Sequence, residues 1–256
     1  MIKHWIITGD THGRVQGRLE QIAEYHTGFK PEETGIIILG DAGINFYLNK
    51  TDRKNKTMLS HSPYTIYCVR GNHEERPENI SSMIIKYDED VHGDVYLEEE
   101  FPNIRYFMDG GEYIINDKTC LVLGGAYSID KWHRLKQISE PGAWCGWFKD
   151  EQLSEEERAI ILEKINDKHY NFIFSHTCPR SLEPKDLFLE FVDQSTVDKT
   201  MEDWLEKVKN SVHWNIWCFG HFHADRIETE CVEQFYKYFE PMNNIWSRWY
   251  GGNKKC

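Results

Sequence analysis

Gly71-Asn72-His73-Glu74 follows the apolar run Tyr64-Thr65-Ile66-Tyr67-Cys68-Val69-Arg70, and its reading decides the fold. A run of that length and composition reads as a buried strand. The glycine lets the backbone turn tightly after it. Three side chains able to bind a cation or move a proton come next. Asn72 offers a neutral oxygen, His73 a titratable imidazole, and Glu74 a carboxylate able to orient that imidazole.

The same arrangement recurs on both sides of this stretch. His4–Thr8 is a short apolar strand followed by Asp10-Thr11-His12, and Gly35–Leu39 runs into Gly40-Asp41. Further on, Asn171–Phe174 leads into Ser175-His176, and Asn215–Phe219 into Gly220-His221-Phe222-His223. Between the first two strands, Val15, Leu19, Ile22 and Ala23 recur at helical spacing, so residues 14–26 are expected to be an amphipathic helix. Ser154 with Glu157 is a capping box that starts another helix, and Val197, Met201, Trp204, Leu205 and Val208 form the stripe of a third. Strands alternating with helices imply parallel pairing with crossover helices. Asn103–Met108 and Glu112–Ile115 are read as a hairpin through Asp109-Gly110-Gly111, which with Thr119–Leu123 begins a second, more antiparallel sheet. Residues 45–60 and 88–100 read as solvated polar faces, and Trp132, Trp144 and Trp147 as packing within a lid or loop. Residues 1–240 are expected to form a single domain. The tail, 241–256, carries Trp246, Trp249 and Tyr250, which are expected to pin it to the body or to a partner chain.

The chain has 256 residues, enough for one large core. Its net charge of -12 argues against non-specific DNA binding, which needs a basic surface. Seven cysteines, an odd number with no CxxC pair, suggest reduced thiols rather than a disulfide scaffold or a thiolate zinc site. No apolar run is long enough to span a membrane. The first ten residues enter a strand and a polar motif rather than a signal peptide, so the expected location is cytoplasmic.

The ligand inventory is imidazole, carboxylate and amide without sulfur, at the carboxyl ends of strands where open α/β sheets build sites. That set suits Mn, Fe, Co, Ni or Zn. It exceeds what one ion needs, so two ions sharing a carboxylate, with a hydroxide between them as nucleophile, is the economical arrangement. Two divalent ions about 3.5 Å apart repel by roughly 19 kcal/mol at an effective dielectric of about 20, so they need anions between and around them. Asp10, Asp41 and a hydroxide supply three negative charges against four positive. The remaining positive charge attracts a phosphate anion.

Taken in order from Asp10 to His223, these blocks resemble the calcineurin-like metallophosphoesterase superfamily. The resemblance implies a four-layer α/β sandwich of two mixed β-sheets flanked by helices. It assigns one metal to Asp10, His12 and His223 and a second to Asn72, His176 and His221. Asp41 would bridge the two ions, with Mn favoured, and His73 would act as general acid or stabilise charge on the phosphoryl group. The sequence departs from the protein Ser/Thr phosphatase branch after the bridging Asp. There the branch has an Asp that pairs with the catalytic His and an Arg that binds phosphate. Here those positions are Ile44 and Asn45. Glu74 or Asp130 is left as the partner of His73, and Arg70, Arg76, Arg134 or Arg180 as the phosphate-binding residue. The expected activity is hydrolysis of a small phosphorylated substrate, with a phosphatase slightly favoured because no basic track for a polynucleotide is visible. A phosphodiesterase acting on a nucleotide or short nucleic acid is the alternative within enzymes. A non-catalytic phospho-ligand module is the alternative outside them. The sequence leaves the oligomeric state open.

Overall fold

Runs of isoleucine and aromatic residues with few charges become strands here, and each exposes its alternate side chains to a different layer. The computed structural model describes residues 1–137, 146–227 and 231–251. In chain order the elements are β1 (His4–Thr8), α1 (Val15–Tyr25), β2 (Thr34–Ile38), α2 (Lys50–Ser60), β3 (Thr65–Cys68), β4 (Met83–Asp88), β5 (Gly93–Glu98), β6 (Ile104–Phe107), β7 (Gly111–Ile115) and β8 (Lys118–Leu123). They continue as α3 (Lys131–Gln137), α4 (Glu155–Ile165), β9 (His169–Ser175), α5 (Thr200–Ser211), β10 (His213–Phe219), β11 (Arg226–Ile227), β12 (Val232–Gln234), β13 (Phe239–Pro241) and α6 (Met242–Tyr250).

The strands form a seven-stranded sheet, β13-β1-β2-β3-β6-β5-β4, and a six-stranded sheet, β11-β12-β10-β9-β8-β7. The middle strands are parallel in each sheet, and antiparallel strands close the edges. Ile7, Ile37 and Tyr67 face inward, where they meet Phe172, Phe174 and Cys120 of the other sheet. Their neighbours Ile6, Ile36 and Ile66 face outward onto Val15, Leu19, Ile22 and Leu59 of α1 and α2. On the far side, Leu121, Ile173 and Trp217 pack under Ile161, Ile165, Met201 and Leu205 of α4 and α5. The result is the expected sandwich of helices, two mixed sheets and helices. β1, β2 and β3 lie side by side in one sheet, as do β9 and β10 in the other, so their carboxyl ends open onto one edge.

Several local expectations are corrected. Asp109-Gly110-Gly111 is not a hairpin, because β6 and β7 belong to different sheets. It is a corner between them. Asp109 accepts from the Gly124 amide at 2.7 Å and from Arg70 Nε at 2.7 Å, which ties the corner to both layers. The hairpin is β7–β8, turning through Asn116 and Asp117 with positive φ at both residues, as a tight two-residue turn requires. Residues 88–100, expected as a solvated face, instead contain the strand β5. Here β5 pairs with β4 at the sheet edge, and β4 exposes Ile84, Ile85, Lys86 and Tyr87 in succession, which hides any period-two pattern. Trp132 is exposed and Lys131 lies over the Trp147 ring at 4.6 Å, while Trp144 falls outside the described residues. Cys231 is disulfide-bonded, contrary to the expectation of reduced thiols, whereas Cys68, Cys120, Cys178 and Cys218 are free and buried. After β13 pairs with β1, α6 lays Trp246, Trp249 and Tyr250 against the inter-sheet core. Trp249 Nε1 donates to Glu233 at 2.8 Å. No helix among the described residues is long and apolar enough to cross a membrane.

Candidate metal centre

The five strand tips bring Asp10, His12, Asp41, Asn72, His176, His221 and His223 together. Four of these residues, His12, Asp41, His221 and His223, have positive φ, a region that non-glycine residues rarely occupy. Their turns are held by local bonds. The Thr11 and His12 amides both donate to the Asp41 carbonyl, at 3.2 and 2.8 Å. Two glycines make the close approach possible. A Cβ on Gly40 would overlap the His176 ring, and one on Gly71 would overlap the Asp41 carboxylate. Gly71 is therefore required for proximity rather than for a left-handed turn, because its φ is not positive.

One group of ligand atoms is open to solvent. His12 Nε2 and His223 Nε2 are 2.9 Å apart. Asp10 Oδ2 lies 3.8 Å from the first and 3.4 Å from the second. That oxygen is buried without a hydrogen-bond partner, although Oδ1 accepts from the His221 amide at 3.0 Å. A buried, unpartnered carboxylate oxygen facing two imidazole nitrogens fits a cation.

The second group is buried. His176 Nδ1 lies 2.8 Å from the Leu39 carbonyl, which can only accept, so the ring's proton sits on Nδ1 when the ring is neutral. His176 Nε2 then points its lone pair at Asn72 Oδ1, 2.8 Å away. The orientation of Asn72 is fixed from behind. Its Nδ2 donates to Ser128 Oγ at 2.8 Å, and Ser128 Oγ donates to the Glu151 carboxylate. Two acceptors aimed at one another at this distance again fit a shared cation, or else a proton on His176. Asp41 Oδ1 is 3.6 Å from His176 Nε2, and Asp41 Oδ2 is 3.9 Å from His73 Nε2. Ligand atoms of Asp10, Asp41 and His176 all lie within 4.8 Å of one another, so Asp10 belongs to both groups and the two carboxylates meet at the centre.

The electrostatics follow from burial and from these pairs. Burial alone would raise the Asp41 carboxyl, but the His176 and His73 imidazoles hold it well below the usual carboxylate range. Burial would likewise favour neutral His176, yet Asp41 beside it raises that ring to about 9. His221 is pushed far down by burial and by His176. His73 is lowered chiefly by burial, with Asp41 and Asp130 pulling the other way.

Among the expected functional residues, Glu74 does not orient His73. Its carboxylate turns back to accept from the Gly71 amide at 3.1 Å and is fully buried, which with the nearby Asp41 raises it to about 7. His73 donates its own amide to Asp41 Oδ1 at 2.8 Å, and its Nδ1 is buried without a partner. Three of the four arginines are corrected. Arg70 is buried and donates to Asp109 and to the Glu151 carbonyl. Arg76 is held by Glu157 at 2.6 Å and by the Asp150 and Gln152 carbonyls. Arg180 pairs with Glu183 and is not among the residues lining the clefts at the ligand cluster. Only Arg134 borders the site, in a cleft that it shares with His12, His73, Asp130 and His223. Asp130 accepts from Arg134 Nε at 2.7 Å through Oδ2, while its Oδ1 is buried and unpartnered. Ile44 is packed in the outer core and Asn45 lines a separate cleft, so neither reaches the site. Ser128 and Glu151 were missed. The only signal was the strand tip Gly124-Gly125-Ala126-Tyr127 just before Ser128, and nothing near Glu151 pointed to the site.

Residues 4–225 match the calcineurin-like phosphoesterase family, and the chain belongs to it. No curated protein matches the chain. Membership makes the protein a metal-dependent phosphoesterase of a family that typically uses two metal ions, and the two ligand groups are its candidate sites.

Proposed function

We propose that the protein hydrolyses a phosphate monoester with two divalent ions. One ion would be held by Asp10, His12 and His223 and the other by Asn72, His176 and His221, with Asp41 available to both. The oxygen and imidazole ligand set admits Mn, Fe, Zn, Co and Ni, of which Mn is the one proposed. The observation that carries the metal part of this reading is the orphaned Asp10 Oδ2 facing two imidazole nitrogens; the monoester is preferred because the acidic chain offers no basic track for a polynucleotide. When bound, the ions supply Lewis acidity and a water acidic enough to attack phosphorus at neutral pH.

The chain's own residues account for the rest. His73 borders the ligand cluster and offers a ring N–H to a phosphoryl or leaving-group oxygen. Asp41 is the stronger of the carboxylates that favour the proton on that ring; Asp130, whose charge is opposed there by its partner Arg134, is assigned the orienting place left by Ile44. Arg134, held by Asp130 at one end and by the Gly146 carbonyl at 2.6 Å, is the guanidinium nearest the cleft and is assigned to a phosphate oxygen. Glu74 supports the turn rather than the reaction.

One observation favours a diester instead. Two clefts, of about 380 and about 660 Å³, meet at His73, Asp130 and His223, so each of a diester's two organic groups would have room. Turnover of mono- and bis-nitrophenyl phosphate with added Mn separates the two readings. The monoester reading expects the first to be the better substrate, and a reversed order would replace it with a diesterase. Metal-dependent turnover abolished by Asp41→Asn excludes a module that only binds phospho-ligands.

A further inference from the structure

The smaller cleft has its own chemistry. Asp41, Asn72, His73, His221 and His223 form one end of it. The walls rising from that end are apolar: Tyr127 and Ile129 on one side, Leu187, Phe188, Leu189 and Val197 on the other, with Phe222 between two of the histidines. Polar groups in the same walls already have partners. Lys199 pairs with Glu183 at 2.7 Å and lies over the Phe188 ring at 4.6 Å, and Asp198 accepts from Gln152 and Thr200. The exceptions are Glu202 and Asp130, which each keep one carboxylate oxygen without a partner, so the polar part of the lining is acidic. That lining repels a second phosphate or any other anion.

The segment forming the apolar wall runs from the end of β9 to the start of α5. It contains only three short 3-10 turns, Arg180–Leu182, Lys185–Leu187 and Gln194–Thr196. So long a connection without a strand or α-helix is unusual in a compact domain unless it builds a site. Its outer surface exposes Phe191, while Phe188 is turned to the cleft, near-parallel to Phe222 with 6.4 Å between ring centroids. A cavity of about 380 Å³ lies at the small end of the range for organic ligands. A group bonded to a phosphorus held at the histidine end has this space to enter.

Resting on the proposed phosphoesterase reading, we propose that this cleft is the subsite for the substrate's organic group and takes a small, uncharged, flat ring. The substrate class is then a compact aromatic phosphate ester. It excludes polyphosphates, whose further anionic groups the acidic lining repels. A phenolic ring and a nucleobase share this chemistry, and the test separates them.

The experiment is calorimetric titration of the full-length Mn-loaded chain with phosphonates, which have a P–C bond that phosphoester hydrolysis does not cleave. Phenylphosphonate is compared with methylphosphonate and with a purine nucleoside 5′-phosphonate. Phenylphosphonate is expected to bind at least about tenfold tighter than methylphosphonate, in line with what filling an apolar pocket achieves. Preference for the nucleoside compound over phenylphosphonate assigns the ring to a nucleobase, and the reverse assigns it to an aryl group. In Phe188→Ala the preference for a ring should shrink to about threefold or less, and Phe188→Tyr should retain it. Equal affinity for ring and methyl compounds, no binding of either, or a preference unchanged in Phe188→Ala overturns the subsite. Ring-selective binding without turnover of any phosphoester would overturn the proposed reaction and leave the subsite standing. Turnover indifferent to a ring would do the opposite.

Discussion

The two ligand groups meet at Asp10 and Asp41 but are built differently. In the open group, the His12 and His223 side chains keep 35% and 50% of their surface exposed. In the other, His176 has none, its tautomer is set by the Leu39 carbonyl, and Asn72 is fixed through Ser128 to Glu151. Outer partners of this kind orient ligands and account for much of a site's affinity. The contrast implies that the buried half holds its ion firmly, while the open half exchanges its ion and meets the substrate.

The sharpest way to break this comparison is to remove what the halves share. Asp41→Asn should abolish turnover by about 10³-fold or more and lower metal content at both positions, because an uncompensated pair of cations cannot stay close. Loss of one ion only, with turnover kept, would show that Asp41 serves a single half. Next in size, Ser128→Ala should weaken metal binding at the buried half by about 10- to 100-fold and leave the open half unchanged. Titration of the metal-free protein with Mn would then show the two classes of site closer in affinity than in the native protein. An unchanged titration would mean that the Glu151–Ser128–Asn72 chain does not support the ion.

Two carboxylates next to His73 sharpen the picture at the reaction itself. Asp130→Asn should reduce turnover by about 10- to 100-fold without loss of metal, whereas Glu74→Gln should stay within about threefold of the native rate. The opposite order would return the orienting role to Glu74. The smallest effect lies away from both halves. Burial alone would raise the Glu157 carboxyl, but the Arg76 guanidinium and the Ser154 cap hold it down at about 2, from 4.5. Its contribution to stability is therefore present above the unfolded value of 4.5 and is lost as pH falls toward about 2. The Tm difference between native protein and Glu157→Gln should be modest at pH 6, since the pair is partly solvated, and should close across that acid window. A gap that widens on acidification would contradict the pairing.

How much of this was legible in the sequence depends on distance along the chain. Apolar runs ending in Asp, Asn or His marked every ligand, because a ligand at a strand tip is a local feature. The sandwich was legible for the same reason, through strands and helices of clear period. What connects remote segments was not. Asp109-Gly110-Gly111 has a hairpin's composition, yet its role as a corner depends on Arg70 and Gly124, which only the fold brings near. Glu74 stands beside His73 in sequence, but the turn directs its carboxylate back to Gly71. Arg70 and Arg76 looked available until burial against Asp109 and Glu157 engaged them. The edge pair β4–β5 was hidden because β4 exposes Ile84, Ile85, Lys86 and Tyr87 one after another, so its apolar residues do not alternate with polar ones.

The central claim is that these strand tips hold a pair of ions. Elemental analysis of the full-length protein after equilibration with Mn and removal of free metal tests it most directly. The account predicts two ions per chain in the native protein, one retained more firmly than the other on dilution into chelator, and neither retained in Asp41→Asn. A native protein that binds no metal, or a single ion unaffected by Asp41→Asn, would contradict it.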